Sequence, residues 1–217
     1  MFRVEAEDGW LVRVVPNLYP AFERQEVVVH SPRHIRTFAE LSDVEISATA
    51  AAWTARREAA RSAGFDYVHA LVNEGRAAGS SLAHSHSQLV WLRDAPPERA
   101  REAGDALAEL LDRADLVVAE TAGIRAVVHR CGRLPYELLI GPLAADHALD
   151  PALQLLRDTV RGLRAVEGPV PWNAWLHEDH LEVVPRLSVL AGVELGAGIY
   201  VNTVAPEDAA AALRAAL

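Results

Sequence analysis

The segment His84-Ser85-His86-Ser87-Gln88 holds the residue types with the most chemistry in them. In an extended strand His84, His86 and Gln88 point to one face, and Ser85 and Ser87 to the other. Imidazole and amide groups are expensive to bury without partners, and a phosphate or a metal supplies them. A neutral imidazole can attack phosphorus. The phospho-histidine that results is reactive enough to pass the group on, so one difficult displacement becomes two easier ones. Gln88 can donate to a non-bridging phosphate oxygen, as can Ser80, Ser81 and the backbone amides around Gly79. His-x-His also occurs as a surface pair or an incidental strand composition. Here an asparagine, two glycines and two serines arrive just before it, which favours the phosphate site. His86 is therefore the candidate nucleophile of a nucleotidyl transfer.

The elements that must position these residues can be read from patterning. Trp10 to Val15, Glu26 to His30, Tyr67 to Val72 and Gln88 to Leu92 read as strands, so the histidines lie where loop passes into strand. Ser42 with Glu45 forms a capping-box pattern that opens an alanine-rich helix to about Ala63. After Pro96-Pro97 a helix is expected from Glu98 to Arg113. Strands are expected at Leu116 to Thr121, Ile124 to His129, Tyr136 to Ile140, Ala174 to His177 and His180 to Val184. Further helices are expected from Pro151 to Ala165 and beyond Pro206. The fold class is α+β, with halves at residues 1–95 and 96–217, each an antiparallel sheet with packed helices.

Composition narrows the function classes. A chain of 217 residues that is 51% hydrophobic can bury a substantial core. A formal charge of -9 with no basic run argues against a nucleic-acid partner. All 21 basic residues are arginines, which excludes lysine Schiff-base chemistry and a Walker phosphate loop. Cys131 is the single cysteine, so there is no internal disulfide and no multi-cysteine zinc finger. No apolar run is long enough to cross a bilayer, and Met1-Phe2-Arg3-Val4-Glu5 is not a signal peptide, so a cytoplasmic protein without a membrane partner is expected. Trp10, Trp53, Trp91, Trp172 and Trp175 are expected in the core or at subunit contacts.

Asn73-x-Gly75-x-x-x-Gly79-x-Ser81-x-x-His84-x-His86-x-Gln88 resembles the active-site signature of the galactose-1-phosphate uridylyltransferase family, a branch of the histidine-triad superfamily. Val14 to Pro20, Glu26 to His34, Pro135 to Glu137, His180 to Arg186 and Gly198 to Asn202 follow the family's order as well, so the likeness spans nearly the whole chain. The resemblance implies two histidine-triad-like halves, with His86 as covalent nucleophile and Gln88 as the ligand of the transferred phosphoryl group. It implies nucleotide contacts from Asn17, Asn73, Ser81 and Gln88. The implied reaction is ping-pong: UMP passes from a nucleotide sugar to the histidine and then to a sugar 1-phosphate. Relatives carry AMP or use inorganic phosphate, and hydrolysis or nucleotide binding alone are the other outcomes. The resemblance also implies a homodimer.

Structural zinc or iron, not needed for the chemical step, is implied at two places. His34 and His84 match two family zinc ligands, but the Cys-x-x-Cys that completes that site is absent from this sequence. Either a natural N-terminal segment precedes this chain or packing holds the loop instead. A second site is implied at Glu102, His177, Glu178 and His180, where the family has a glutamate and three histidines. Exposed polar residues at a tight turn are the simpler account of that set. Ser188 and Val193 stand where the family places a lysine and an aromatic residue near the hexose phosphate. Arg76 and Arg186 are candidates to supply the missing positive charge.

Overall fold

Among the described residues, runs rich in β-branched and other apolar residues form ten strands: β1 (Phe2–Ala6), β2 (Gly9–Pro16), β3 (Arg24–Val29), β4 (Tyr67–Glu74), β5 (His86–Leu92), β6 (Val117–Thr121), β7 (Ile124–Val128), β8 (Leu138–Gly141), β9 (Trp172–Leu176) and β10 (Leu181–Pro185). The helices are α1 (Asp43–Ser62), α2 (Gly104–Leu111), α3 (Leu149–Glu167), α4 (Gly192–Ala197) and α5 (Pro206–Ala216). The computed structural model describes residues 2–7, 9–97, 104–143 and 149–217. Glu102 and the first turns expected of the Glu98 helix lie outside the described residues.

The two sheets expected from the sequence are joined into one. The ten strands run in the order β1-β2-β3-β5-β4-β9-β10-β8-β7-β6, all neighbours antiparallel. The seam is β4 against β9, where Asn73 faces Asn173 and Leu71 faces Trp175. Pairing these strands satisfies backbone groups that two separate sheets would leave at exposed edges. Helices α1, α3 and α5 lie against one another and against one face of the sheet. A single apolar core, including Val28, Trp53, Leu89, Trp91, Ile140, Leu153 and Trp172, fills the space between the layers. Burying a side chain such as Leu89 or Leu153 contributes roughly 1.5–3 kcal/mol.

Register decides what the opposite face carries. Val27 pairs with Gln88, Gln88 with Leu71, and Leu71 with Trp175, so these four share one face. Two residues along each strand, Val29 faces His86 and Asn73 faces Asn173 on the same side. Ser87 and Val28 turn towards the helices. The side away from the helices therefore carries a band of polar residues.

Strand β1 was not expected. Its Phe2 and Val4 are only half-buried, and a short run of mixed burial gives little periodic signal.

Candidate active site and metal-binding cluster

Strand β5 begins at His86, ahead of the expected Gln88, and does not extend back to His84. His84 belongs to the preceding turn, where its Nε2 is 2.9 Å from the Arg33 carbonyl and its Nδ1 is 3.1 Å from that of Ser85. His86 is 6% exposed, and its Nδ1 lies 2.8 Å from the His84 carbonyl oxygen. A carbonyl can only accept, so Nδ1 carries the proton, and in the neutral ring the lone pair sits on Nε2. That is the tautomer a nucleophile needs. Gln88 shares the face of His86, and its Oε1 accepts from Gln25 Nε2 at 2.6 Å, which leaves the Gln88 amide nitrogen as a donor.

The reverse of this strand is tied down by a buried network. His30 is fully buried, with Nδ1 and Nε2 each 3.0 Å from a serine hydroxyl, those of Ser85 and Ser87 respectively. Trp53 Nε1 donates to the Ser87 hydroxyl at 2.9 Å. Burial lowers the His30 pKa to about 3, with a further push from the neighbouring His86 and His84 rings. The start of α1 is linked to the same region. Glu45 closes the capping box with Ser42 and also accepts from Ser31 and Arg33. Burial raises the Glu45 carboxyl, but the hydrogen bonds from Arg33, Ser31 and Ser42 outweigh it and bring it to about 2.

A cavity of about 480 Å³ brings Asn73, Ser81, His84 and His86 together, a size suited to a nucleotide-scale ligand. Asn173, which the sequence reading passed over, organises its floor. Its Nδ2 donates to Asn73 Oδ1 and to the Ala78 carbonyl, both at 2.8 Å, and Arg186 donates to its Oδ1 at 3.2 Å. Arg186 is thus engaged with Asn173, whereas Arg76 lines the cavity. Asn17 does not line it; its Oδ1 accepts from Tyr19 N at 3.0 Å in the turn after β2.

Gly75 enters the glycine loop at φ +87°, where a Cβ would stand 2.9 Å from Pro171 Cβ. Gly75→Ala is expected to combine left-handed strain with this clash and to destabilise by about 1–3 kcal/mol. Thermal unfolding checks the stability loss, and a weakened nucleotide affinity checks that the loop has shifted. An unchanged melting temperature would refute the constraint.

The two implied metal sites fare differently. His34 and His84 have ring centroids 6.1 Å apart, but no third donor joins them among the described residues, and both His84 nitrogens face carbonyls. Cys131 is exposed in the turn between β7 and β8. These residues do not fit a structural zinc centre, which typically has about four ligands. At the second place, His177, His180 and Glu182 offer ligand atoms within 4.8 Å of one another. Glu182 takes the place expected of Glu178, which is exposed. Trp175 Nε1 donates to His177 Nε2 at 2.8 Å, and the same nitrogen is 3.1 Å from Glu182 Oε2. The Trp175 N–H occupies the one Nε2 lone pair of His177, and Arg133 already pairs with Glu182, so a divalent cation such as zinc or iron would enter here only by displacing the Trp175 contact. Such an ion would hold strands β9 and β10 together. The alternation His180-x-Glu182 was the signal that would have found Glu182 in the sequence.

Residues 20–97 match the family model described as galactose-1-phosphate uridyl transferase, N-terminal domain. The chain is 26% identical to an ADP-glucose phosphorylase of Arabidopsis thaliana, over 99% of this chain and 77% of that protein. The solved structure of an ADP-glucose phosphorylase from Arabidopsis thaliana with bound ADP-glucose superposes with a TM-score of 0.87 at 26% identity, covering 99% of this chain and 84% of the other. A uridylyltransferase structure superposes with a TM-score of 0.86 over 96% of this chain and 85% of the other, and at 23% identity it shares the fold.

Proposed function

The chain belongs to the galactose-1-phosphate uridylyltransferase-like branch of the histidine-triad superfamily, and from that premise we propose that it moves a nucleoside monophosphate from a nucleotide sugar to a phosphate-bearing acceptor through a covalent bond to His86. The observation that carries this reading is the Nδ1 contact of His86 with the His84 carbonyl, which directs the lone pair of Nε2 outward. In the first half-reaction Nε2 attacks the α-phosphorus. The N–P bond forms as the P–O bond to the leaving sugar 1-phosphate breaks. Nδ1–H stays on the His84 carbonyl, so the positive charge that the ring acquires faces a fixed dipole. The Gln88 amide nitrogen, oriented by Gln25, donates to a non-bridging oxygen. In the second half-reaction an acceptor phosphate oxygen attacks the same phosphorus, and the N–P electron pair returns to Nε2. Asn73 and Ser81 hold the nucleotide within the cavity.

UMP and a sugar 1-phosphate are the expected group and acceptor. A second reading, in which AMP is transferred to inorganic phosphate, draws on the 26% identity to an ADP-glucose phosphorylase. Intact-mass measurement after brief incubation with UDP-, ADP- and GDP-sugars separates them. The expected result is a gain of one nucleoside monophosphate, whose mass names the base, with no gain in His86→Ala. Absence of any adduct while nucleotide still binds would leave a binding protein.

Exposed apolar residues in two segments, Leu18, Tyr19 and Phe22, and Val189, Leu195 and Ile199, support assembly into a homodimer. No helix among the described residues is long and apolar enough to cross a membrane.

A further inference from the structure

The cavity that holds His86 is lined by Arg36, Arg76 and Arg164. These come from three separate places: the loop ahead of Thr37, the turn between Gly75 and Gly79, and the last turn of α3. Several other arginines of this lysine-free chain are bound to carboxylates, as in Arg33 with Glu45, Arg56 with Glu26, Arg93 with Glu23 and Arg157 with Asp43, while Arg186 and Arg214 bind an amide oxygen and backbone carbonyls. Among the described residues, none of the three cavity guanidinium groups has a hydrogen bond or an ion pair. Two carboxylates share the lining. Glu74 is engaged by the Thr37 hydroxyl at 2.6 Å and by Phe38 N at 2.7 Å, and Glu40 is exposed.

Three guanidinium groups against two carboxylates, Glu40 and Glu74, leave this lining with an excess of one positive charge in a chain of net charge -9, a local reversal of the protein's overall charge. The planar fork of arginine matches a phosphate bidentately, and its charge persists at any working pH. Resting on the reading above, we propose that Arg36, Arg76 and Arg164 form the clamp for the acceptor's phosphate. The clamp thereby sets how the nucleotidyl-histidine divides between a phosphate-bearing acceptor and water. In transfer to the acceptor, a phosphate oxygen forms the new P–O bond and the N–P pair returns to Nε2. In hydrolysis the same N–P bond breaks, water supplies the oxygen, and its proton leaves to solvent. The arginines raise the first rate by concentrating and aligning the acceptor, and they leave the second unaltered. They act as specificity residues in place of the positive charge missing at Ser188.

Two measurements test the clamp. Calorimetric titration of inorganic pyrophosphate into His86→Gly, with and without added Arg76→Gln and Arg164→Gln, is expected to show binding weakened by roughly tenfold or more when the arginines are lost. With the otherwise native protein carrying a nucleotidyl group, Arg76→Gln is expected to raise the concentration of inorganic phosphate or hexose 1-phosphate needed for half-maximal discharge by a similar factor. Its rate of discharge by water should stay unchanged, whereas labelling should also weaken at low donor concentration, because the donor's leaving phosphate passes through the same clamp. Equal pyrophosphate affinity in the two backgrounds overturns the clamp. A failure of any donor to label His86 counts against the covalent reading alone, because the pyrophosphate titration does not depend on that bond.

Discussion

Replacing His86 by glycine is expected to abolish nucleotidyl transfer, with turnover falling by at least about four orders of magnitude, while the protein still folds and binds nucleotide. The reason is that the N–P bond has no second candidate nearby. The neighbouring His84 has both nitrogens against carbonyl oxygens, and His30 is sealed beneath the sheet between two serines. Folding should survive because, among the described residues, the side chain makes one hydrogen bond, from Nδ1 to the His84 carbonyl. Losing that bond costs about 1 kcal/mol, against a typical stability of about 5–15 kcal/mol. Stopped-flow or single-turnover assays measure the chemical step, and equilibrium dialysis with labelled donor measures binding. Free imidazole supplied to the glycine variant should restore part of the turnover, since the vacated space opens on the cavity. Retention of more than about one hundredth of the native turnover would place the nucleophile elsewhere.

The second large effect is acid destabilisation through His30. Its folded pKa of about 3 lies below the usual 6.5. Between those values the unfolded chain binds a proton that the folded chain refuses, so stability declines as pH drops below 6.5 and the loss ends near pH 3. The slope approaches about 1.4 kcal/mol per pH unit, giving a loss of roughly 2 kcal/mol between pH 7 and pH 5. Burial lowers His69 and His129 as well, with the same sign. Glu45 contributes lower down. Its folded carboxyl, at about 2 against the usual 4.5, yields stability that is lost as pH falls from 4.5 towards 2. Urea unfolding from pH 7.5 to 4.5 measures the profile, and His30→Gln isolates one group by flattening the upper part of it. A native profile that stays level from pH 7 to 5 would mean that His30 accepts its proton in the folded state.

Most of the local structure was legible in the chain. The capping box at Ser42 and Glu45 starts α1 where expected, because the signal lies within one helical turn and does not depend on distant residues. The strands carrying the site were read to within a few residues, with β5 starting at His86, ahead of the expected Gln88. The cluster of an asparagine, two glycines and two serines before the histidine pair pointed to a phosphate site, because glycine tolerates the left-handed backbone found at Gly75 and Gly79.

What stayed hidden was every relation that crosses the sheet. Gln25 orients Gln88 from 63 positions away, and Asn173 holds Asn73 from 100 away. Neither has a local pattern to mark it, since only the register of β3 on β5 and of β9 on β4 brings the pairs together. Glu182 is marked locally by the alternation His180-x-Glu182, but only the pairing of β10 with β9 brings it to His177 in the candidate metal cluster. By itself the sequence determined which residue is the candidate nucleophile and most of the helices and strands around it, since those follow from side-chain type and short-range periodicity. The tertiary structure alone decided that two half-sheets become one, that His86 is proton-bearing on Nδ1, and that three arginines converge on its cavity. Such facts arise from long-range packing, where residues far apart in the chain are held a few ångströms apart and no local rule encodes the distance.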